Sequence, residues 1–166
     1  MKSDYSNSVS KYSVEIDGNR SGLRFSAAHF IHNHPTCGRL HGHDFSVSVR
    51  IDGAPDSSGI VVDFIAIESL MKSLIADLDH KIVVAKRWAS VKDGIVRFET
   101  NDGEIRAPLA STCIIEEPEI TSELLAHYLL GRVLSAPDGI MLSNVGFEVG
   151  VSESEGRVAW SRYKQV

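Results

Sequence analysis

The chain has 166 residues, 43% of them hydrophobic and 23% charged, with a formal net charge of −5. That length and composition suit one globular domain with a sizeable core; an acidic balance without a basic stripe argues against a nucleic-acid partner, and no apolar run approaches the ~18 residues of a membrane span. Two cysteines, Cys37 and Cys113, are too few for a disulfide scaffold, and the polar start lacks the apolar core of a secretory signal, so a reduced, cytoplasmic protein is expected.

Residues 1–11 read as a flexible polar tail and 12–166 as a single domain. Tyr12 to Ile16 alternates and reads as a strand. Asp17-Gly18-Asn19 is a turn signal, after which residues 23–28 are expected to return as the second arm of a hairpin. Residues 29–37 carry Asn33, Pro35 and three histidines, and read as a loop. Over 44–52, Phe45, Val47, Val49 and Ile51 fall on one face of a strand. Residues 59–62 read as a short strand leading to Asp63, whose carboxylate suits a helix N-cap. The helix that follows carries Phe64, Ile67, Leu70, Met71, Leu74, Ile75 and Leu78 on one stripe.

Residues 82–85, 95–99, 104–107 and 112–115 read as short strands, with Asn101-Asp102-Gly103 as a tight turn. A second helix is expected from near Thr121, with Leu124, Leu125, Tyr128 and Leu129 inward, ending before Pro137. Residues 145–151 and 157–160 form a last hairpin around Glu155-Gly156. Helices separated by hairpins predict an α+β fold, an antiparallel sheet with two helices packed on one face.

His41-Gly42-His43 is the sharpest motif. On extended backbone, residues i and i+2 point to the same side, so both imidazoles converge. Zinc takes nitrogen and sulfur ligands; three protein ligands leave an open catalytic position, four close a structural site. An isolated His-x-His often binds nothing, but five histidines fall between residues 29 and 43, which favours a metal site. His29, His32 and His34 are all candidates for the third ligand on chemistry alone. Cys37 is either a base or nucleophile beside the metal, or a fourth ligand. Cys113 reads as a small buried hydrophobe.

At these residues the chain resembles the family of 6-pyruvoyltetrahydropterin and 6-carboxytetrahydropterin synthases. The resemblance rests on Phe25-Ser26-Ala27-Ala28-His29 and Cys37-Gly38-Arg39-Leu40-His41-Gly42-His43. It continues through Gly59-Ile60-Val61-Val62-Asp63-Phe64, Leu78-Asp79-His80, Thr121-Ser122-Glu123 and Ser152-Glu153-Ser154. The spacing from Cys37 to His41 is similar to the 6-carboxy branch. The resemblance implies a T-fold whose subunits form a β-barrel, commonly a homohexamer built as a dimer of trimers. It implies a Zn2+ ion on His29, His41 and His43, Cys37 as the base, and His80 as a proton-relay partner oriented by Asp79. It also implies a pterin ring gripped by Glu153 and lined by Thr121 and Ser122. Each of these has a plainer reading: Asp79-His80 as a helix terminus, Glu153 as an exposed turn residue, Thr121 and Ser122 as helix caps.

The activity implied is conversion of dihydroneopterin triphosphate to 6-carboxytetrahydropterin, with release of acetaldehyde and triphosphate, in deazapurine (queuosine/archaeosine-type) tRNA modification. The alternatives are 6-pyruvoyltetrahydropterin synthase activity, a retro-aldol pterin lyase and, from another class, a non-catalytic zinc- or pterin-binding protein. Arg24, Arg39 and Lys81 lie near the motifs as candidate triphosphate partners. The chain departs from the family pattern at Lys81-Ile82-Val83-Val84, at Ile120 in place of a proline, and in a longer segment expected to hold an added β-hairpin around 90–110.

Overall fold

The computed structural model describes residues 12–136 and 145–163. Its first strands and helices are β1 (Tyr12–Ile16), the one-turn helix α1 (Gly18–Ser21), β2 (Arg24–His29), β3 (His41–Gly53) and α2 (Phe64–Ala76). β4 (Lys81–Ala85), β5 (Ser90–Lys92), β6 (Ile95–Thr100), β7 (Gly103–Pro108) and β8 (Thr112–Ile115) follow, then α3 (Ser122–Leu134), β9 (Gly146–Ser154) and β10 (Arg157–Tyr163). Seven strands make the main sheet in the order β10-β9-β3-β2-β4-β8, with β1 also paired to β3; β5-β6-β7 make a separate sheet of three. Both the tail (1–11) and the expected helix stop at Pro137 lie outside the described residues.

The expected α+β class with antiparallel pairing is present: β1, β2 and β9 all run antiparallel to β3, and β10 to β9. Two further pairs, β2–β4 and β4–β8, are parallel. Each is reached by a long connection through other elements, as a parallel pair requires. β4 is covered on both faces. Val83 and Ala85 enter the main core and Val84 a second one, so its sequence is a continuous apolar run rather than an alternating one.

The hairpin expected between β1 and β2 does not form. β3 is 13 residues long, and both strands pair with it end to end: Tyr12 to Ile16 against Gly53 to Val49, and Arg24 to His29 against Ser46 to His41. The turn signal is used by α1, where Asp17 caps the helix by accepting the Asn19 N–H at 2.9 Å. Gly18 sits directly on β3; a Cβ there would fall 2.3 Å from the Val47 carbonyl oxygen. The strand expected at 59–62 is also absent, its place taken by a turn in which Asp56 accepts the N–H groups of Ser58 and Ile60. Asp63 does cap α2, accepting from Ile65 N–H at 2.8 Å.

The helical stripes meet the sheet as their periodicity demands. Ile67, Met71, Leu74, Ile75 and Leu78 from the α2 region, with Leu125, Leu129 and Val133 of α3, bury against Phe25, Phe45, Val47, Val49, Phe147 and Val149. Two expected inward residues are exceptions: Phe64 is half-exposed at the first turn of α2, and Leu124 of α3 is only partly buried and outside this core. The second, smaller core joins Phe30 and Val84 to Val96, Phe98 and Ala107 of the three-stranded sheet. That sheet therefore packs against the loop between β2 and β3. Among the described residues no helix is long and apolar enough to cross a membrane.

Candidate metal centre and adjoining recesses

β2 and β3 place three histidines on one side of the sheet. His29 pairs with His41, and His43 with Ala27 two residues back. Alternation puts all three imidazoles on the side of Phe45, whose ring meets those of His29 and His43 edge-on at 5.4 and 5.5 Å. One ring nitrogen from each of His29, His41 and His43 lies within 4.8 Å of the others. Gly42 sits between two of them, and a Cβ there would come within 3.2 Å of the Ala27 carbonyl oxygen.

The hydrogen bonds fix which nitrogen is offered. A carbonyl can only accept, so His29 donates from Nδ1 to the Ile120 carbonyl at 2.7 Å, and His41 from Nδ1 to the Arg39 carbonyl at 2.8 Å. In the neutral form of each ring this leaves the lone pair on Nε2. His29 is buried, and its Nε2 is the one buried side-chain polar atom without a partner among the described residues. Burial pushes the His29 pKa down to about 4, against the opposing pull of the Ile120 carbonyl, so the ring stays neutral. A buried, unpartnered, neutral imidazole facing two others fits a divalent metal ion, with carbonyls holding the rings in place.

Glu153 stands beside this cluster. Its carboxylate oxygens lie 3.9 Å from His29 Nε2 and 4.0 Å from His43 Nε2, beyond hydrogen-bond distance. It comes from β9, near the turn to β10, and lines a recess of about 530 Å³ with Thr121, Ser122, Ile31 and Arg157. Thr121 also caps α3 by accepting the Leu124 N–H at 3.3 Å, so the plainer capping role and a place in the recess coexist.

Cys37, His32 and His34 are outside the cluster of three. His32 stacks on Trp88 with ring centroids 3.7 Å apart. His34 turns Nδ1 back to accept the N–H groups of Thr36 and Cys37, at 3.3 and 3.0 Å. Cys37 is half-buried with a free thiol, and Thr36 Oγ1 lies 3.6 Å from its Sγ. Cys113 is likewise free, and burial pushes its thiol up.

Asp79 and His80 lie in the turn after α2. The Asp79 carboxylate accepts the Ser26 N–H at 2.8 Å, which, with the His80 ring, holds its pKa below the usual carboxylate range. His80 returns its own N–H to the Ser26 carbonyl at 2.7 Å and holds a left-handed φ of 58°, uncommon outside glycine. The ring Nδ1 is 2.8 Å from Asp79 Oδ2. The pair is thus a turn clamped to β2 rather than a helix terminus. His80 lines a second recess of about 490 Å³, with Ser26, Ala28, Gly42, His43, Asp44 and Lys81. Ser26, Ala28, Gly42 and Asp44 alternate along β2 and β3 with the three histidines. Within one chain, then, the structure does not bring His80 into the recess of Glu153.

The three candidate cations are otherwise engaged. Arg24 pairs with Asp44 at 2.5 Å, Arg39 with Asp102 at 3.3 Å, and Lys81 Nζ donates to the Ala110 carbonyl. Sequence reasoning missed Arg157 in the Glu153 recess, the Ile120 carbonyl on His29, and the contacts of Glu119 and Asn101 with the loop of Cys37. Ile120, Glu119 and Asn101 carry no local signal, because each acts on a segment tens of residues away.

Comparison with known proteins agrees with this geometry. A family model described as 6-pyruvoyl tetrahydropterin synthase matches residues 20–164. A Methanocaldococcus jannaschii protein, named provisionally as a 6-carboxy-5,6,7,8-tetrahydropterin synthase, is 32% identical over 92% of this chain and 98% of its own length. A Pyrococcus abyssi protein of the same provisional name is 34% identical over 66% of this chain and 69% of its own. The solved 6-pyruvoyl tetrahydropterin synthase of Plasmodium vivax shares the fold, with a TM-score of 0.83 at 21% identity over 94% of this chain and 99% of that one. The chain belongs to the 6-pyruvoyl tetrahydropterin synthase family, whose members are enzymes of pterin metabolism.

Proposed function

We propose that this protein is a zinc-dependent pterin synthase of the 6-carboxy type, converting dihydroneopterin triphosphate to 6-carboxytetrahydropterin, acetaldehyde and triphosphate. The observation that carries this reading is the unpartnered Nε2 of His29, converging with His41 and His43 beside the carboxylate of Glu153. The provisional names of the archaeal relatives favour the 6-carboxy branch. The product suits a pathway of deazapurine tRNA modification.

Zinc on the three histidines would supply a Lewis acid toward the hydroxyl oxygens of the substrate side chain. Glu153 accepts the adjacent N–H and amino donors of the pterin ring, a charge-assisted bidentate match, while Thr121 and Ser122 line the ring's recess. Cys37, which stands outside the histidine cluster, serves as the base for the side-chain proton rather than as a fourth ligand. Asp79 holds the His80 Nδ1–H, leaving Nε2 for proton exchange. His80 lines a recess other than that of Glu153, which supports an assembly in which it serves the site of a neighbouring copy, as a homohexamer would provide.

The test is anaerobic incubation of the zinc-loaded protein with dihydroneopterin triphosphate, followed by mass analysis of pterins and acetaldehyde. A carboxylated tetrahydropterin with acetaldehyde supports the proposal. A pyruvoyl pterin without acetaldehyde moves the protein to the sister reaction, a hydroxymethyl pterin makes it a retro-aldol lyase, and no turnover favours a non-catalytic binder.

A further inference from the structure

The loop between β2 and β3, which carries Cys37, is braced from outside the main sheet. Phe30 stacks on Phe98 of β6, with centroids 5.3 Å apart and planes 10° from parallel. His32 stacks on Trp88, and the Trp88 Nε1–H and His32 N–H both donate to the Glu119 carboxylate, at 2.8 and 3.1 Å. At the turn between β6 and β7, Asn101 reaches both ends of the Cys37 segment. Its N–H donates to the Gly38 carbonyl at 2.9 Å and its side-chain amide to the His34 carbonyl at 2.8 Å.

Gly38 fits because it has no side chain. A Cβ there would fall 2.3 Å from Asn101 Nδ2 and 2.5 Å from the His34 carbonyl oxygen. Gly38 N–H itself donates to that same carbonyl at 3.0 Å, so His34 and Gly38 close a short loop on each other, with Asn101 across the gap. Between them stand Pro35, Thr36 and Cys37, the last two with their N–H groups on His34 Nδ1. A five-residue segment pinned at both ends and from within retains few backbone conformers.

We infer that Asn101 is a positioning residue for Cys37: through the carbonyls of His34 and Gly38, the turn of the three-stranded sheet sets where the Cys37 thiol stands. This rests on the reading of Cys37 as the base. The side-chain bond to the His34 carbonyl lies near the surface, so its loss costs little global stability, while the backbone bond to Gly38 is kept in any Asn101 variant. Their value is in placement, since a reacting group displaced by ~1 Å can lose about a hundredfold in rate.

The experiment compares the parent protein with Asn101→Ala and Asn101→Asp. The second keeps the shape of the side chain and its suitability for a turn, but sets an acceptor against the His34 carbonyl, so the test survives if Asn101→Ala fails to fold. Two readings are taken on the zinc-loaded proteins: kcat and KM, and the pH profile of iodoacetamide alkylation at Cys37, resolved by mass spectrometry with Cys113 as internal reference. The inference expects the Cys37 profile to shift several-fold in rate while Cys113 and zinc content stay as in the parent. It also expects kcat to fall about ten- to a hundredfold with KM little changed. Parent-like alkylation and kcat in a folded variant would overturn it. Undiminished turnover in Cys37→Ala would instead overturn the base assignment, while the alkylation profile would still report whether Asn101 places the thiol.

Discussion

The Nδ1–H of His29 donates to the carbonyl of Ile120 at 2.7 Å, across 91 residues of sequence. This bond turns the lone pair of a buried ring toward His41 and His43, and no other partner among the described residues satisfies it. Replacing His29, His41 or His43 by alanine is therefore expected to reduce bound zinc to well below one per chain. His32→Ala and His34→Ala should keep it, because those rings face Trp88 and the Thr36–Cys37 backbone. Elemental analysis after dialysis against a weak chelator checks this; loss of zinc from His34→Ala alone would contradict the ligand set.

Acid should destabilise the metal-free protein through the same residue. Burial pushes the His29 pKa down to about 4, whereas an unfolded histidine titrates near ~6.5. Between those values the unfolded chain takes up a proton that the native ring refuses, so stability rises with pH across this window and the effect is absent above ~6.5. The loss on going from about pH 7 to about pH 4 is at most ~3 kcal/mol. Denaturant unfolding of metal-free protein across that range should show the slope, and His29→Gln should flatten it. An unchanged slope in His29→Gln would assign the acid sensitivity to other groups.

Cys37 and Glu153 are expected to fail differently. Cys37→Ala should lower kcat by roughly a hundredfold or more while zinc stays bound, since the thiol is outside the histidine cluster. Glu153→Gln removes a charged acceptor from the recess and should raise the pterin KM by about tenfold or more. Steady-state kinetics with parallel metal analysis separates the two. Zinc loss in Cys37→Ala would make the cysteine a ligand and favour a structural site.

A stability prediction concerns the junction between β1 and β2. Gly18 donates its N–H to Ser48 Oγ at 3.0 Å and lies on the backbone of Val47. Gly18→Ala forces a methyl group into that contact and is expected to cost about 1–3 kcal/mol. Gly59→Ala meets open space but adopts a φ of 85°, so its smaller cost comes from backbone strain alone. Thermal melts of the two variants should rank Gly18→Ala lower; the reverse order would show that α1 shifts away from β3 freely.

Much of the fold was legible because it rests on short-range periodicity. The alternation of Phe45, Val47, Val49 and Ile51, the stripes that enter the core from α2 and α3, and the caps at Asp63 and Thr121 are set by residues within a few positions of each other. The convergence of His41 and His43 follows from the two-residue repeat of a strand in the same way.

Pairing was not legible at the same level. Turn chemistry at Asp17-Gly18-Asn19 suits a hairpin or a one-turn helix equally, and the length of β3 decided between them by offering one edge to both β1 and β2. The apolar run of β4 showed burial but not that its partners are parallel. The sequence alone determined the type of most elements, the His-x-His pair and the pool of candidate third ligands, but not the turn at 59–62 or the one-turn helix α1. The family resemblance implied His29 as the third ligand, and the tertiary structure brings its ring to the pair while His32 and His34 stay outside; only the tertiary structure decided that Asn101 reaches the loop of Cys37 and that His80 lines a recess apart from Glu153. The physical reason is that local patterns record which face of an element is buried, whereas a site is assembled by contacts between residues far apart in the chain, which leave no periodic trace.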